Sequence, residues 1–239
     1  MKKTLSLVLL TIFTITASTV SSLPVPAGYT RISSPAGSYG AWLSLLPLKN
    51  DKRILSFDGT TITNPFYHVF AVVALPLLFS SDLEQCADFS MRLWAEYHKD
   101  NATFDKMYLF TYSGSRRYFS ESGKTYTSFL KWAMSNSNSY SVKTGCVPVP
   151  DADVRPGDMF VQNEHGGIGH VSVIMDMCEM TGKDRLYLVG YSFMPAQEFH
   201  IEYARETFGT GGWFTLDGYR RYLAEYLDLG KPVMRRFGE

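Results

Sequence analysis

The chain has 239 residues, of which 45% are hydrophobic and 15% aromatic, and this is enough for the core of one globular domain. It carries 23 basic and 23 acidic residues, so its formal net charge is zero. This balance excludes the strongly basic surface expected of a protein held on nucleic acid or on anionic membranes by charge alone. Three cysteines are too few for a dense disulfide framework.

The first segment, Met1–Ser22, has the layout of a secretory signal peptide. Two lysines precede an apolar run from Leu5 to Ile15, and small residues follow the run. Because the run is short for a membrane span, we expect cleavage and export to the periplasm or the extracellular space. The alternative is an uncleaved N-terminal helix. Residues 23–239 are then a single domain with an N-terminal extension.

Patterns along the mature chain predict an α+β domain in which a helix packs on an antiparallel sheet. Helices are predicted where apolar residues recur at helical spacing, and strands where short apolar runs lie between turn signals. The predicted helices are Ser38–Leu46, Ser81–His98, Tyr126–Met134 and Leu216–Leu227, and the predicted strands are Arg53–Phe57, Lys106–Thr111, Met159–Val161, Val171–Met175, Arg185–Gly190 and Phe199–Tyr203. The Ser/Asn-rich segment Ser135–Ser141 is predicted to be a surface connection. No later stretch is apolar enough for stable membrane insertion.

The helix predicted over Ser81–His98 carries the candidate nucleophile. Ser81 and Glu84 have the spacing of a capping box, so the helix is expected to begin at Ser81. Cys86 then lies near the start of the helix, where the helix dipole favours the thiolate. The competing interpretation is that Cys86 is a small buried core residue, which is the commoner role for a cysteine on an apolar helix face.

The candidate base is His170, at the start of the second strand of a hairpin that spans Pro156–Met177. A cysteine near a helix start, followed later in the chain by a histidine on a strand, is the order found in papain-type hydrolases. The preceding Gly169 is expected to let a substrate backbone approach. A histidine at a strand start is also often purely structural.

The sequence leaves open the orienting residue, the pairing of the cysteines and a metal site. A third residue that orients His170 could be Ser192, Gln197 or His200. Cys146 and Cys178 could form a disulfide and leave Cys86 free. A metal site built from His165, His170 and Asp176 or Cys178 matches no established ligand spacing, so no metal or other cofactor is predicted.

Four motifs resemble one family. The segments Ser38–Lys49, Asp82–His98, Pro156–Met177 and Tyr191–Ile201 are similar, in this order, to an exported bacterial family catalogued as domain of unknown function 4846. The hairpin that ends in Gly-His-Val also resembles the histidine hairpin of NlpC-type and CHAP cysteine peptidases and amidases, which cut bacterial cell-wall peptides.

The resemblance to the NlpC-type enzymes implies a papain-like fold, with Cys86 as nucleophile and His170 as base. It also implies a peptide or peptidoglycan-like substrate. The alternative is a non-catalytic envelope protein that uses the same fold to bind glycan or peptide, with Tyr118, Trp132 and Trp213 as exposed stacking surfaces. Oligomeric state and the bond that is cleaved are not predicted.

Overall fold

The computed structural model describes residues 18–238, which contain five α-helices and twelve β-strands. The helices are α1 (Tyr39–Ser44), α2 (Cys86–Asp100), α3 (Tyr126–Ser135), α4 (Ser139–Gly145) and α5 (Leu216–Tyr226). The strands are β1 (Thr30–Arg31), β2 (Val69–Val72), β3 (Tyr108–Phe110), β4 (Arg116–Tyr118), β5 (Val147–Pro148), β6 (Met159–Gln162), β7 (His170–Glu179), β8 (Leu186–Tyr191), β9 (His200–Glu202), β10 (Gly209–Thr210), β11 (Trp213–Phe214) and β12 (Val233–Arg236). This mixture of helices and antiparallel strands confirms the α+β class.

The main sheet is antiparallel and is organised around β7. Its central path runs β10-β11-β8-β7-β6-β12-β5, while β1 joins β7 and β2 joins the sheet through β9. The hairpin β6–β7 pairs Met159 with Val173 and Gln162 with His170, as the sequence pattern predicted. The long strand β7 therefore connects most parts of the domain.

The two faces of the sheet bury different cores because successive side chains on a strand point to opposite sides. Val171 and Val173 of β7 belong to the larger core, which also contains the apolar side chains of α2. Ile174 belongs to the smaller core beneath α5, together with Phe160 of β6. The sheet thus separates an α2 side from an α5 side.

Some predicted elements differ from the structure. The segment Arg53–Phe57 forms only isolated bridges, through Leu55 and Ser56. The second half of Ser135–Ser141 is not a surface connection, because α4 begins at Ser139 and both Ser139 and Ser141 are buried. Polar side chains are compatible with this helix because Asn138 caps it by accepting hydrogen bonds from the Tyr140 and Ser141 N–H groups.

The start of α2 is the main correction. The helix begins at Cys86, with Gln85 as N-cap, rather than at Ser81. Glu84 does not cap a helix; its carboxylate accepts hydrogen bonds from the Leu78 and Phe79 N–H groups. Cys86 is therefore the first helical residue.

A buried ion pair holds this helix in place. Glu84 Oε1 lies 2.6 Å from Arg92 Nη1, and the two side chains are only 1% and 2% exposed. Arg92 also lies over the Phe89 ring, 5.2 Å from its centroid. Three polar residues of the same helix, Arg92, Glu96 and Asp88, are buried. The helix is enclosed on nearly all sides, so its polar residues need internal partners.

The described part of the chain begins inside the predicted signal peptide. Residues 1–17, which hold most of the predicted signal peptide, lie outside the described part of the chain. Val20 is fully buried, and its N–H donates to the Leu46 carbonyl. The segment 18–22 is thus packed into the domain. Within residues 18–238, the helices lack the combination of length and apolar character needed to cross a membrane.

Replacing Arg92 tests the importance of the buried pair. Arg92→Met leaves the Glu84 carboxylate buried without its cation, and we expect a loss of about 3–5 kcal/mol in the free energy of unfolding. Urea unfolding of the purified protein measures this value. The matched control is Arg53→Met, because the Arg53–Asp51 pair is exposed and its loss should leave the unfolding midpoint unchanged. Equal midpoints for the two variants would contradict the prediction.

Candidate functional site

Cys86 lies at the floor of a surface cleft of about 450 Å³. It is half-buried, and as the first residue of α2 it stands where the helix leaves N–H groups without helical partners. The other walls come from the start of α4, the loop 166–169, and the side chains of Phe193 and Met194. A larger cavity, of about 650 Å³, lies beside Trp94 and Arg116 but contains no cysteine. The cleft at Cys86 is therefore the site relevant to thiol chemistry.

The thiol of Cys86 lies against the beginning of β7. The thiol donates to the carbonyl oxygen of Gly169, which lies 3.8 Å from its Sγ. The last registered pair between β7 and β8 is Val173 with Gly190, so β7 has no β8 partner at its start, next to this contact. The structure thus brings the thiol to the backbone immediately before His170.

Gly169 does not serve the role expected from the sequence. A Cβ atom at this position would collide with the Gln162 carbonyl oxygen and the Ser139 hydroxyl. The room left by the missing side chain is therefore filled by the protein itself and not left for a substrate backbone. Glycine is needed here so that the loop can pack closely against α4.

The imidazole of His170 points away from α2. On β7 it shares a face with Ser172, whose hydroxyl receives a hydrogen bond from Tyr219 of α5 at 2.7 Å. The ring is 0% exposed and contacts Tyr191 and Phe193, at centroid distances of 5.1 and 5.4 Å. Within the described residues neither ring nitrogen has a hydrogen-bond partner. The thiol thus lies against the backbone just before His170, and no hydrogen bond joins it to the imidazole.

Burial keeps both candidate groups uncharged. The pKa of the Cys86 thiol is raised to about 12. Burial is the main cause and the Asp88 carboxylate adds to it, whereas the N–H groups of Val171 and Ala87 oppose the rise. Burial also lowers the pKa of His170 to about 3, and nearby His200 adds to this effect. At neutral pH the resting site therefore holds a thiol and a neutral imidazole, and not a thiolate–imidazolium pair.

The three candidates for an orienting residue lie in different surroundings. The Ser192 hydroxyl donates to the carbonyl oxygens of Gln197 and Glu84, so it is engaged with backbone. The Gln197 side chain donates to the Tyr67 hydroxyl at 3.0 Å. His200 lies on the α5 side with His170 and contacts the Tyr191 ring at 4.4 Å. Of the three candidates it is the one that lowers the pKa of His170.

Behind the two histidines lies a buried polar cluster that sequence reasoning missed. Glu202 Oε2 accepts a hydrogen bond from the Tyr191 hydroxyl at 3.0 Å and lies 3.3 Å from His200 Nε2, but the latter contact lacks hydrogen-bond geometry. The Tyr191 and Tyr222 hydroxyls are 2.9 Å apart. Strand alternation could have indicated this cluster, because residues 200 and 202 lie on the same face of one strand.

The remaining candidate residues do not form a second centre. Cys146 and Cys178 are free, buried thiols in the structure, so they are not joined to each other. Asp176 pairs with Arg31 at 2.6 Å, while the side chain of His165 is 91% exposed. Among residues 18–238, no three His, Cys, Asp or Glu side chains are placed to hold a metal ion.

Asp88 is a further site residue that the sequence analysis did not single out. It is 8% exposed and lines the cleft beside Cys86. Its Oδ2 accepts a hydrogen bond from the Gln85 N–H at 3.2 Å. The signal that could have found it is the N3 position of a helix that begins at Cys86, where an acid often caps the N-terminus.

Comparison with known proteins identifies a family but no activity. No curated protein and no solved structure is significantly similar to the chain. A family model matches residues 20–122 and 112–226, which together cover most of the described chain. The chain therefore belongs to the family described as "Domain of unknown function (4846)".

Proposed function

We propose that the protein is a thiol hydrolase of the papain-like type that cuts a peptide or amide bond in cell-wall peptides, with Cys86 as nucleophile and His170 as base. The observation that carries the proposal is the position of the Cys86 thiol. It is on the first residue of a 15-residue helix, lines a cleft, and lies 3.8 Å from the carbonyl oxygen of Gly169, the residue before His170. The resemblance of the hairpin to NlpC-type and CHAP enzymes points the same way.

The reaction balances with these two residues alone. The sulfur forms a bond to the substrate carbonyl carbon while its proton passes to a His170 ring nitrogen. The N–H groups of Cys86 and Ala87 would stabilise the oxyanion. The carbon–nitrogen bond then breaks as the imidazolium returns the proton to the leaving amine, and water hydrolyses the thioester. Since the resting imidazole faces the α5 side of β7, the strand at His170 must shift when substrate binds so that a ring nitrogen comes within hydrogen-bond reach of the sulfur.

His200 is proposed as the orienting residue. It shares the α5 side with His170, and Glu202 lies behind it at 3.3 Å. Because His200 lowers the pKa of His170, in this role it would act by accepting a hydrogen bond from a His170 ring N–H and fixing the ring, and not by stabilising its positive charge. Ser192 and Gln197 are less suitable because their side-chain donors already bond to other groups.

A second candidate function is binding without catalysis. Two observations favour it: the pKa of the thiol is raised to about 12, and the imidazole of His170 faces away from α2. The cleft would then hold a peptide or glycan. Of the three aromatic residues suggested for stacking, Trp213 is excluded, because it is fully buried and its Nε1 donates to the Pro24 carbonyl. Tyr118 and Trp132 are half-buried.

Turnover tests the first candidate. We expect the wild-type protein to release new amino groups from muropeptides, the soluble fragments of peptidoglycan, and Cys86→Ala to release none, because the acyl acceptor is lost. Amine release is followed with a fluorogenic amine reagent and the products by mass spectrometry. Cys146→Ala is the matched control, since Cys146 lies outside the cleft, and it should keep full activity. Equal release by wild type and Cys86→Ala would refute the nucleophile.

Alkylation tests the protonation state of the resting thiol, which both candidate functions share. With a pKa of about 12, the thiolate fraction rises about tenfold per pH unit, so the iodoacetamide rate at Cys86 should climb steadily from pH 7 to pH 10. Mass spectrometry of the Cys86 peptide measures the rate, and the buried Cys178 gives the background. A rate that is already constant below pH 7 would mean a preformed thiolate–imidazolium pair and would contradict the raised pKa.

We also propose that the protein is exported, and the packing of residues 18–22 then limits where the signal peptide can be cut. Because Val20 belongs to the core, a signal peptidase cut at or before residue 18 keeps the packed segment, whereas a cut after Ser22 removes it. We expect intact-mass analysis of the secreted protein to place its N-terminus near residue 18. Val20→Ala should lower the free energy of unfolding by about 1.5 kcal/mol, the value for two buried methyl groups. A mature N-terminus at residue 23 with unchanged stability would contradict both expectations.

A further inference from the structure

A second cavity, of about 650 Å³, lies along the later turns of α2. Its wall includes Trp94, Tyr97 and His98, whereas Cys86 is the first residue of the helix. At 1.5 Å of rise per residue, Trp94 is about 12 Å further along the helix axis than Cys86. Among the described residues, none lines both this cavity and the cleft at Cys86. The cavity is therefore a separate place for a ligand, and its volume lies in the range of small-molecule sites.

Tyrosine rings form much of the wall of this cavity. Tyr39, Tyr97 and Tyr118 line it, and each of them is half-buried rather than enclosed. Behind them, Trp94 and Tyr108 are buried and hold the exposed rings in place. The Tyr39 ring lies 5.3 Å from the Trp94 centroid, and the Tyr118 ring lies 5.7 Å from the Tyr108 centroid. Fixed and accessible rings of this kind stack on a flat, apolar face of a ligand, such as the C–H face of a sugar.

The polar side chains of the same wall are mainly basic. Lys106, Arg116 and Arg155 line the cavity, against a single acid, Asp105. His98 also lines it but is uncharged at neutral pH, because burial lowers its pKa to about 4 and the charge of Lys106 adds to this effect. The wall therefore carries a net positive charge, and an anionic group is the complementary ligand.

Arg116 is held in a fixed position on this wall. Its guanidinium carbon lies 4.3 Å from the centroid of the Tyr108 ring, and the Tyr108 hydroxyl is itself fixed by donating to the Gly238 carbonyl at 2.9 Å. A Cβ atom at Gly238 would collide with Arg116 Nη2, so the chain passes close beside the guanidinium. Within the described chain, Arg116 makes no ion pair and donates no hydrogen bond. A half-buried guanidinium held in this way is suited to bind a carboxylate through two parallel hydrogen bonds.

We propose that this cavity binds a sugar that carries a carboxylate, such as a uronic acid. Arg116 binds the carboxylate, and the rings of Tyr39, Tyr97 and Tyr118 stack on the sugar. Asp105 is exposed at the same wall and accepts hydrogen bonds from the sugar hydroxyl groups. A neutral sugar would leave the basic groups unmatched, and an aromatic acid without hydroxyl groups would be repelled by Asp105. The inference goes beyond the proposed hydrolase and does not depend on cleavage at Cys86.

Titration of the full-length protein with three matched probes tests the site. Galacturonic acid has the sugar ring and the carboxylate, galactose has the ring alone, and benzoate has a flat ring and a carboxylate without hydroxyl groups. We expect galacturonic acid to bind at least about tenfold more tightly than either of the others, the ratio that corresponds to one charge-assisted contact. NMR measures the affinities, and the shifted amide signals should be those of Lys106, Arg116 and Tyr118.

Two neighbouring arginines of β4 supply the matched comparison. Arg116→Gln keeps a polar side chain without the charge and should remove the preference for galacturonic acid over galactose. Arg117→Gln is the control, because strand alternation places Arg117 on the other face of β4 and it does not line the cavity. Tyr118→Ala should weaken the binding of both sugars equally and leave the preference unchanged, because the stacking surface is lost but the guanidinium is kept.

Each outcome decides the proposal. Equal binding of galacturonic acid and galactose, no binding at millimolar concentration, or a preference that survives Arg116→Gln overturns the site. Benzoate binding as tight as that of galacturonic acid overturns the choice of a sugar. If Arg116→Gln fails to fold, the wild-type shifts decide, since shifts confined to residues 166–169 of the cleft overturn the site. A preference lost in Arg116→Gln and kept in Arg117→Gln supports it, whether or not the protein cuts muropeptides.

Discussion

The position of Cys86 depends on the buried contact between Glu84 and Arg92. Glu84 lies two residues before the helix, and its carboxylate ties Arg92 of the second helical turn to the N–H groups of Leu78 and Phe79. A buried carboxylate with these partners cannot also cap a helix, so the chain turns into α2 only at Cys86. The same contact that anchors the helix therefore sets its first residue, and with it the place where the thiol meets β7.

A second constraint is the low polarity of the interior around the site. Charging either the thiol or His170 in isolation would place an ion among buried side chains, which is costly without a partner. The structure keeps both neutral and surrounds His170 with the rings of Tyr191 and Phe193. Catalysis at such a site would have to create charge only when a substrate is present. A pure binding protein would need no charge at all, so the two candidate functions differ in whether Cys86 ionises when ligand is bound, and not in its resting state.

The sequence predicted what depends on local periodicity and missed what depends on tertiary partners. The β6–β7 hairpin and helix α5 follow from alternation and helical spacing, and both were predicted within a few residues. The start of α2 was wrong because Ser81 and Glu84 match a capping box locally, while the actual partner of Glu84 is Arg92, eight residues further on. Likewise, the pattern brought Cys86 and His170 to the same place but could not indicate which way the imidazole faces.

Asp88 links these constraints to the chemistry of the cleft. A carboxylate beside a nucleophilic thiol is unfavourable by itself, since its negative charge disfavours the thiolate and raises the thiol pKa. Burial raises the pKa of Asp88 itself as well, and Glu84, whose charge adds to that rise, is compensated by Arg92. A substrate that brings a hydrogen-bond donor or a positive charge to the sulfur would offset the effect of Asp88 on the thiol. Activation of the thiol therefore depends on what the cleft binds.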